Sequence, residues 1–134
     1  PDDNVLASPM KRACLGALSC LCRHDDECAF AVLALEGAPL AMDCTSHGDL
    51  GIRRTAVRLL GRLIPRASAR PMKHERVDTE RMWPVVLRDL RDHDEPVRTA
   101  AAACALEAVC DGWLSLSSAP VVGLSRALLA ALEQ

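Results

Sequence analysis

Three stretches of the chain carry apolar residues at helical spacing. The first covers about residues 9–22, with Cys14, Leu15, Ala17, Leu18 and Leu21 toward one side. The second covers about residues 50–64, with Ile52, Ala56, Leu59, Leu60, Leu63 and Ile64 together. The third covers about residues 96–110, with Val97, Ala101, Ala105, Leu106 and Val109. Recurrence at i, i+3/i+4 and i+7 predicts amphipathic helices, because 3.6 residues per turn bring those positions onto one face. Shorter pieces lie between. Residues 27–36 are apolar nearly all round, which predicts burial between neighbours, and Gly37 after them predicts a C-terminal stop. Residues 38–44 predict a short helix ended at His47-Gly48. Residues 79–91 predict another, with Pro84 either kinking it or opening its main part. Residues 67–77, polar and basic between Pro65 and Pro71, read as a loop. Residues 113–120 form a second break, and an apolar helix closes the chain at 124–132.

Composition sharpens the class. Half of the 134 residues are apolar, yet the chain has one Phe, two Trp and no Tyr, so Ala and Leu carry the core. β-sandwiches and barrels draw on Val, Ile and aromatics, so this balance predicts an all-α fold. Cysteines number seven, and Cys14, Cys20, Cys22, Cys28, Cys104 and Cys110 fall in apolar helical patterns. An odd count in such positions predicts buried, reduced thiols and a reducing cytoplasmic compartment, not a disulfide framework. The polar, acidic start is unlike a secretory leader, and no apolar run reaches a membrane span. A start without Met leads us to expect a segment of a longer protein.

Net charge is −2, too small to point to nucleic acid or a membrane surface, but its distribution is uneven. Between Gly51 and Arg76 eight Arg/Lys face one Glu, a local +7 that leaves the remainder of the chain at −9. The three long stretches also align on one pattern: basic, two residues, small, apolar, then Leu-rich positions. It starts at Lys11, Arg53 and Arg98, 42 and then 45 residues apart, a period expected of helical solenoids.

On these features the chain resembles the armadillo/HEAT superfamily over about four fifths of its length. Residues 27–63 are armadillo-like: a helix, Gly37, Ala-Pro-Leu, a short helix, a polar turn, then Ile52-Arg53 opening the long helix. Residues 83–109 are HEAT-like, with Trp-Pro-x-x-Leu-x-x-Leu, Asp92-His-Asp-Glu-Pro-Val97-Arg98 and an Ala-rich helix. The resemblance implies a right-handed α-solenoid of about two and a half repeats, with repeat helices at 9–22, 27–64 and 79–110 and a partial repeat at 113–134. It also implies that an Asp and an Arg of the ladder type pair between layers, which assigns Asp92, Arg98 and Arg53. His47 stands in the Asp place of the preceding repeat.

Arg54, Arg58 and Arg62 recur every four residues opposite the apolar face, and Arg66 continues the row beyond Pro65. The resemblance places that helix in a concave groove, where the row would suit an acidic protein segment. The bland alternative is a solvated face neutralised by the chain's own acidic flanks. Nucleic acid is disfavoured, since one Phe and two Trp leave little for base stacking. Cys20, Cys22, His24 and Cys28 have no usual zinc spacing, and Cys20 and Cys22 point about 200° apart on a helix. Asp92, His93, Asp94 and Glu95 read more simply as a capping turn than as an acid/base or metal cluster. Trp83 and Trp113 read as core sooner than as partner anchors. No GxSxG, GxxxxGK[ST], GxGxxG or HExxH occurs. The expectation is a non-catalytic interaction scaffold without cofactor or metal, within a multi-subunit complex. The alternatives are a structural subunit of a cytoskeletal or ciliary assembly, by fold-level analogy, and a Cys/His metal-binding protein.

Overall fold

The computed structural model describes residues 3–69, 73–110 and 119–133. Among them are seven helices and no strand: α1 (Asp3–His24), α2 (Asp26–Ala34), α3 (Gly37–Cys44), α4 (Leu50–Ala69), α5 (Lys73–Asp89), α6 (Glu95–Cys110) and α7 (Ala119–Leu132). The fold is all-α, as the Ala/Leu-carried core predicts. No described helix is long and apolar enough to cross a membrane.

α4 is the hub, packing on α1, α2, α3, α5 and α6. Its expected face of Ile52, Ala56, Leu59, Leu60, Leu63 and Ile64 is fully buried, and Val57 and Ala67 join it. Pairings at both ends give the direction of its neighbours. Arg12 of α1 reaches Asp49 just ahead of α4, and Arg66 near the foot of α4 reaches Asp26 just past α1. Arg53 meets Asp94 ahead of α6, and Arg62 meets Glu107 well along it. α1, α4 and α6 therefore run the same way, with α4 touching both of the others.

Several expectations are corrected. On α1 the buried line is Leu15, half-buried Leu18 and Cys22, whereas Cys14 is exposed and Leu21 is 53% exposed. The inward face is turned by about one residue because α1 packs on α4 and α2 alone, leaving the Cys14–Leu21 side uncovered among the described residues. Cys14 and Cys20 are thus exposed thiols, not buried ones; Cys22 and Cys104 are buried, Cys28 and Cys44 half-buried, and all six are free. On α6, Val97, Ala101 and Ala105 are buried as expected, but Leu106 is 64% exposed. Pro65 does not end its helix, and α4 runs on to Ala69. The turn beyond Pro65 is held by burial of Ala67 and by Arg66, which donates to Asp26 and to the Arg62 carbonyl (3.2 Å). The expected loop at 67–77 shrinks accordingly, since α5 already starts at Lys73. The break at 113–120, Trp113 and the side chains of Val109 and Cys110 lie outside the described residues, apart from the start of α7. Trp83 is buried, as a core residue should be.

Gly37 is not a helix stop but the first residue of α3, and the left-handed position falls on Glu36 (φ 60°, ψ 38°). Gly37 is needed for a different reason: a Cβ there would lie 2.9 Å from the Val32 carbonyl oxygen. A backbone atom cannot yield as a flexible side chain can, so the α2–α3 corner depends on it.

The buried polar residues are Thr45, Arg53 and Asp89. Asp89 closes α5 at 2% exposure; its Oδ1 accepts from Arg88 Nε (3.3 Å) and Nη2 (3.2 Å), while Oδ2 has no hydrogen-bond partner. Burial pushes its carboxyl up to about 6, against the opposing pull of Arg88. A group raised in the folded state stabilises below its unfolded value of 3.8, and that contribution is lost as pH rises through about 6. Asp89→Asn is expected to be more stable than the wild type at pH 8, by about 1–2 kcal/mol, with the gain disappearing toward pH 4. Urea unfolding at pH 4, 6 and 8 measures it, and a pH-independent difference contradicts the reading.

Candidate functional site

The turns that lead into α4 and α6 are built alike. In the first, the Asp49 N–H donates to His47 Nδ1 (3.0 Å), and the Arg53 N–H donates to the Asp49 carbonyl (3.1 Å). In the second, 45 residues later, the Asp94 N–H donates to Asp92 Oδ1 (2.9 Å), and the Arg98 N–H donates to the Asp94 carbonyl (3.2 Å). His47 thus supplies from its ring the acceptor that Asp92 supplies from its carboxylate. Each turn's arginine folds back to the carbonyl six residues earlier: Arg53 Nη1 to His47 O at 3.1 Å, Arg98 Nη1 to Asp92 O at 2.8 Å. Asp49 also caps α4, accepting from the Ile52 N–H at 3.1 Å; that bond holds its carboxyl below the usual range.

The Asp92 carboxylate is paired with Arg53 and not with Arg98. Arg53 Nε lies 3.3 Å from Asp92 Oδ2, and Nη2 donates to Asp94 Oδ2. With a further bond from Nη1 to the Gly48 carbonyl (3.0 Å), this guanidinium ties the α3–α4 turn to the α5–α6 turn. The same two carboxylates, with His93, form the one described cluster whose ligand atoms could surround a cation. Arg53 already occupies that charge, and His93 is exposed, so the arrangement fits an arginine clamp better than a metal centre. Cys20, Cys22, His24 and Cys28 bring no such set of ligand atoms together among the described residues.

The basic row divides in two. Arg62 Nη1 donates to both carboxylate oxygens of Glu107 (3.0 and 2.9 Å), and Arg66 pairs with Asp26 at 2.9 Å. Both are half-buried, so the bland reading holds for this half of the row. Arg54 and Arg58 are exposed and have no ion-pair partner among the described residues. They form, with Arg62, one wall of a groove of about 320 Å³ between α4 and α6. Its floor is small (Gly61, Ala100, Cys104), and Glu95 and Glu107 stand on the α6 side. Cys104 donates from Sγ to the Val57 carbonyl (3.3 Å), and burial pushes its thiol up to about 12, so it lines the groove as an inert small residue.

Gly61 is the residue the sequence pattern passes over. A Cβ there would strike Cys104 Sγ and lie 3.2 Å from its Cβ, so the depth of the groove depends on that glycine. The signal was present: glycine in the middle of a strong helical pattern costs about 1 kcal/mol and marks a close approach. Glu107 and Asp26, 45 and 40 residues from their arginines, carry no local sign of pairing.

Comparison with known protein families, curated proteins and solved structures finds no match.

Proposed function

We propose that this chain is a non-catalytic interaction module of the α-solenoid type, and that its α4–α6 groove receives an acidic protein segment. One observation carries the reading: Arg54 and Arg58 are exposed and unpaired among the described residues, side by side on the wall of a groove. The chain neutralises Arg62 and Arg66 internally and leaves these two uncompensated. Like charges four residues apart cost a helix a few tenths of a kcal/mol, which a carboxylate-bearing ligand would reverse. The Arg62–Glu107 pair cancels, so the groove keeps two cations against Glu95 alone.

The test is the double substitution Arg54→Glu with Arg58→Glu. Changing Arg62 as well would break its contact with Glu107 and confuse binding with stability. A panel of Asp/Glu-rich peptides, with basic and neutral controls, is titrated by fluorescence anisotropy at 50 and 200 mM salt. The wild type is expected to prefer the acidic set and to weaken with salt. The double variant should lose at least tenfold in affinity while its Tm moves by no more than a degree or two. Equal binding by the variant, or no preference for acidic peptides, rejects the groove as the site.

A second reading, a structural layer within a larger assembly, rests on exposed apolar residues on both outer sides of the helix array. Met10 and Leu21 are exposed on α1, and Leu106, Leu129 and Leu132 on α6 and α7. The two readings concern different surfaces and are compatible.

A further inference from the structure

We propose that the face between α6 and α7 is a docking site for an α-helix of a partner protein, entered through a turn bearing two carboxylates two residues apart. The molecule makes one kind of contact twice and leaves it open a third time. Arg12 of α1 reaches Asp49 in the turn ahead of α4 (3.9 Å), and Arg53 of α4 reaches Asp92 and Asp94 in the turn ahead of α6. Arg98 of α6 stands where Arg53 stands, with the same bond to the carbonyl six residues back. Beyond that bond it has no carboxylate partner among the described residues.

Arg98 opens instead on a groove of about 390 Å³, lined also by Leu90, Ala102, Leu128, Ala131 and Leu132. The packing shows what kind of element fits. α4 rests on α1 and on α3, and α6 rests on α4 and on α5. The corresponding seat, against α6 and above α7, holds none of the described helices, and Leu106 (64% exposed) and Leu132 (83% exposed) face solvent. A helix laid there would cover this apolar surface as α6 covers that of α4.

Charge selects the occupant. A helix without acid would bury Arg98 with no counter-ion, a strongly unfavourable arrangement. Carboxylates in the entering turn would pair with it and also favour the positive end of the arriving helix. A second copy of this chain does not readily supply them. Its Asp92–Asp94 turn already holds Arg53, and its Asp25–Asp26 turn caps α2 and holds Arg66.

The test supplies such a helix directly. A duplicate of residues 90–110, which contains an acidic turn of this kind, is joined after Gln134 of the full chain by a Gly/Ser linker, which gives a high effective concentration. The expected result is a Tm rise of about 5 °C over the unextended chain. Most of that rise should vanish when the duplicate's two aspartates become Asn. In an Arg98→Gln background the same Asn changes should have no further effect. This coupling would be absent if Arg98 merely supported the fold. No rise overturns the proposal, as does a rise indifferent to the aspartates, or one with the same aspartate dependence in Arg98→Gln. Concentration-dependent dimerisation of the unextended chain, abolished by Leu132→Glu, would make a second copy the occupant and overturn it too.

Discussion

Replacing Arg53 with methionine is expected to lower the stability of the fold by about 3–5 kcal/mol, seen as a large fall in the urea midpoint. The side chain is almost wholly buried and makes four polar contacts: the His47 and Gly48 carbonyls, Asp92 and Asp94. Methionine keeps the stem's packing and removes every one of them. The carboxylates of Asp92 and Asp94 would then face each other across the α5–α6 turn without a counter-charge. Arg53→Lys should recover little, because one ammonium cannot reach both turns as a planar guanidinium does. Adding Asp92→Asn and Asp94→Asn to the methionine variant should regain part of the loss, since much of the penalty is uncompensated charge. A loss below 1 kcal/mol for the single variant would show that the clamp is a surface ion pair in all but appearance.

How legible this was depends on the residue. Arg53 falls at the same helical positions as Ala56, Val57 and Leu60, so its burial could be read from spacing, and the ladder assignment named it and Asp92 together. The assignment did not say which arginine meets Asp92, because that depends on how layers are offset along the array. α4 could be read well because it is enclosed on nearly every side, so its whole apolar pattern is buried. α1 and α6 could not. Each lies at a side of the array with one long neighbour, and the pattern of Leu21 or Leu106 is the same whether or not a further helix covers it. The arginine row shows the same limit. Spacing placed Arg54, Arg58 and Arg62 on one face, but which of them the chain neutralises was decided by Asp26 and Glu107, distant in sequence.

Gly61→Val is expected to cost about 3 kcal/mol or more, chiefly by forcing α4 and α6 apart. Even one added carbon meets Cys104 Sγ, and that sulfur is held by its bond to the Val57 carbonyl in a buried site. Overpacking of this kind costs about 1–3 kcal/mol, and a β-branched residue brings none of alanine's helix propensity to offset it. A paired exchange separates close packing from a general intolerance at the site. Gly61→Ala and Cys104→Ala should each destabilise, the first by collision and the second by a cavity. Together they should cost at least 1 kcal/mol less than the sum, because the new methyl enters the space the sulfur leaves. The same contact sets the groove that Arg54 and Arg58 line, and the Arg62–Glu107 bridge crosses it. Gly61→Val should therefore also weaken any acidic peptide that binds there, measured where the variant is still folded. If Gly61→Val unfolds at the wild-type urea midpoint, α4 and α6 do not depend on this approach.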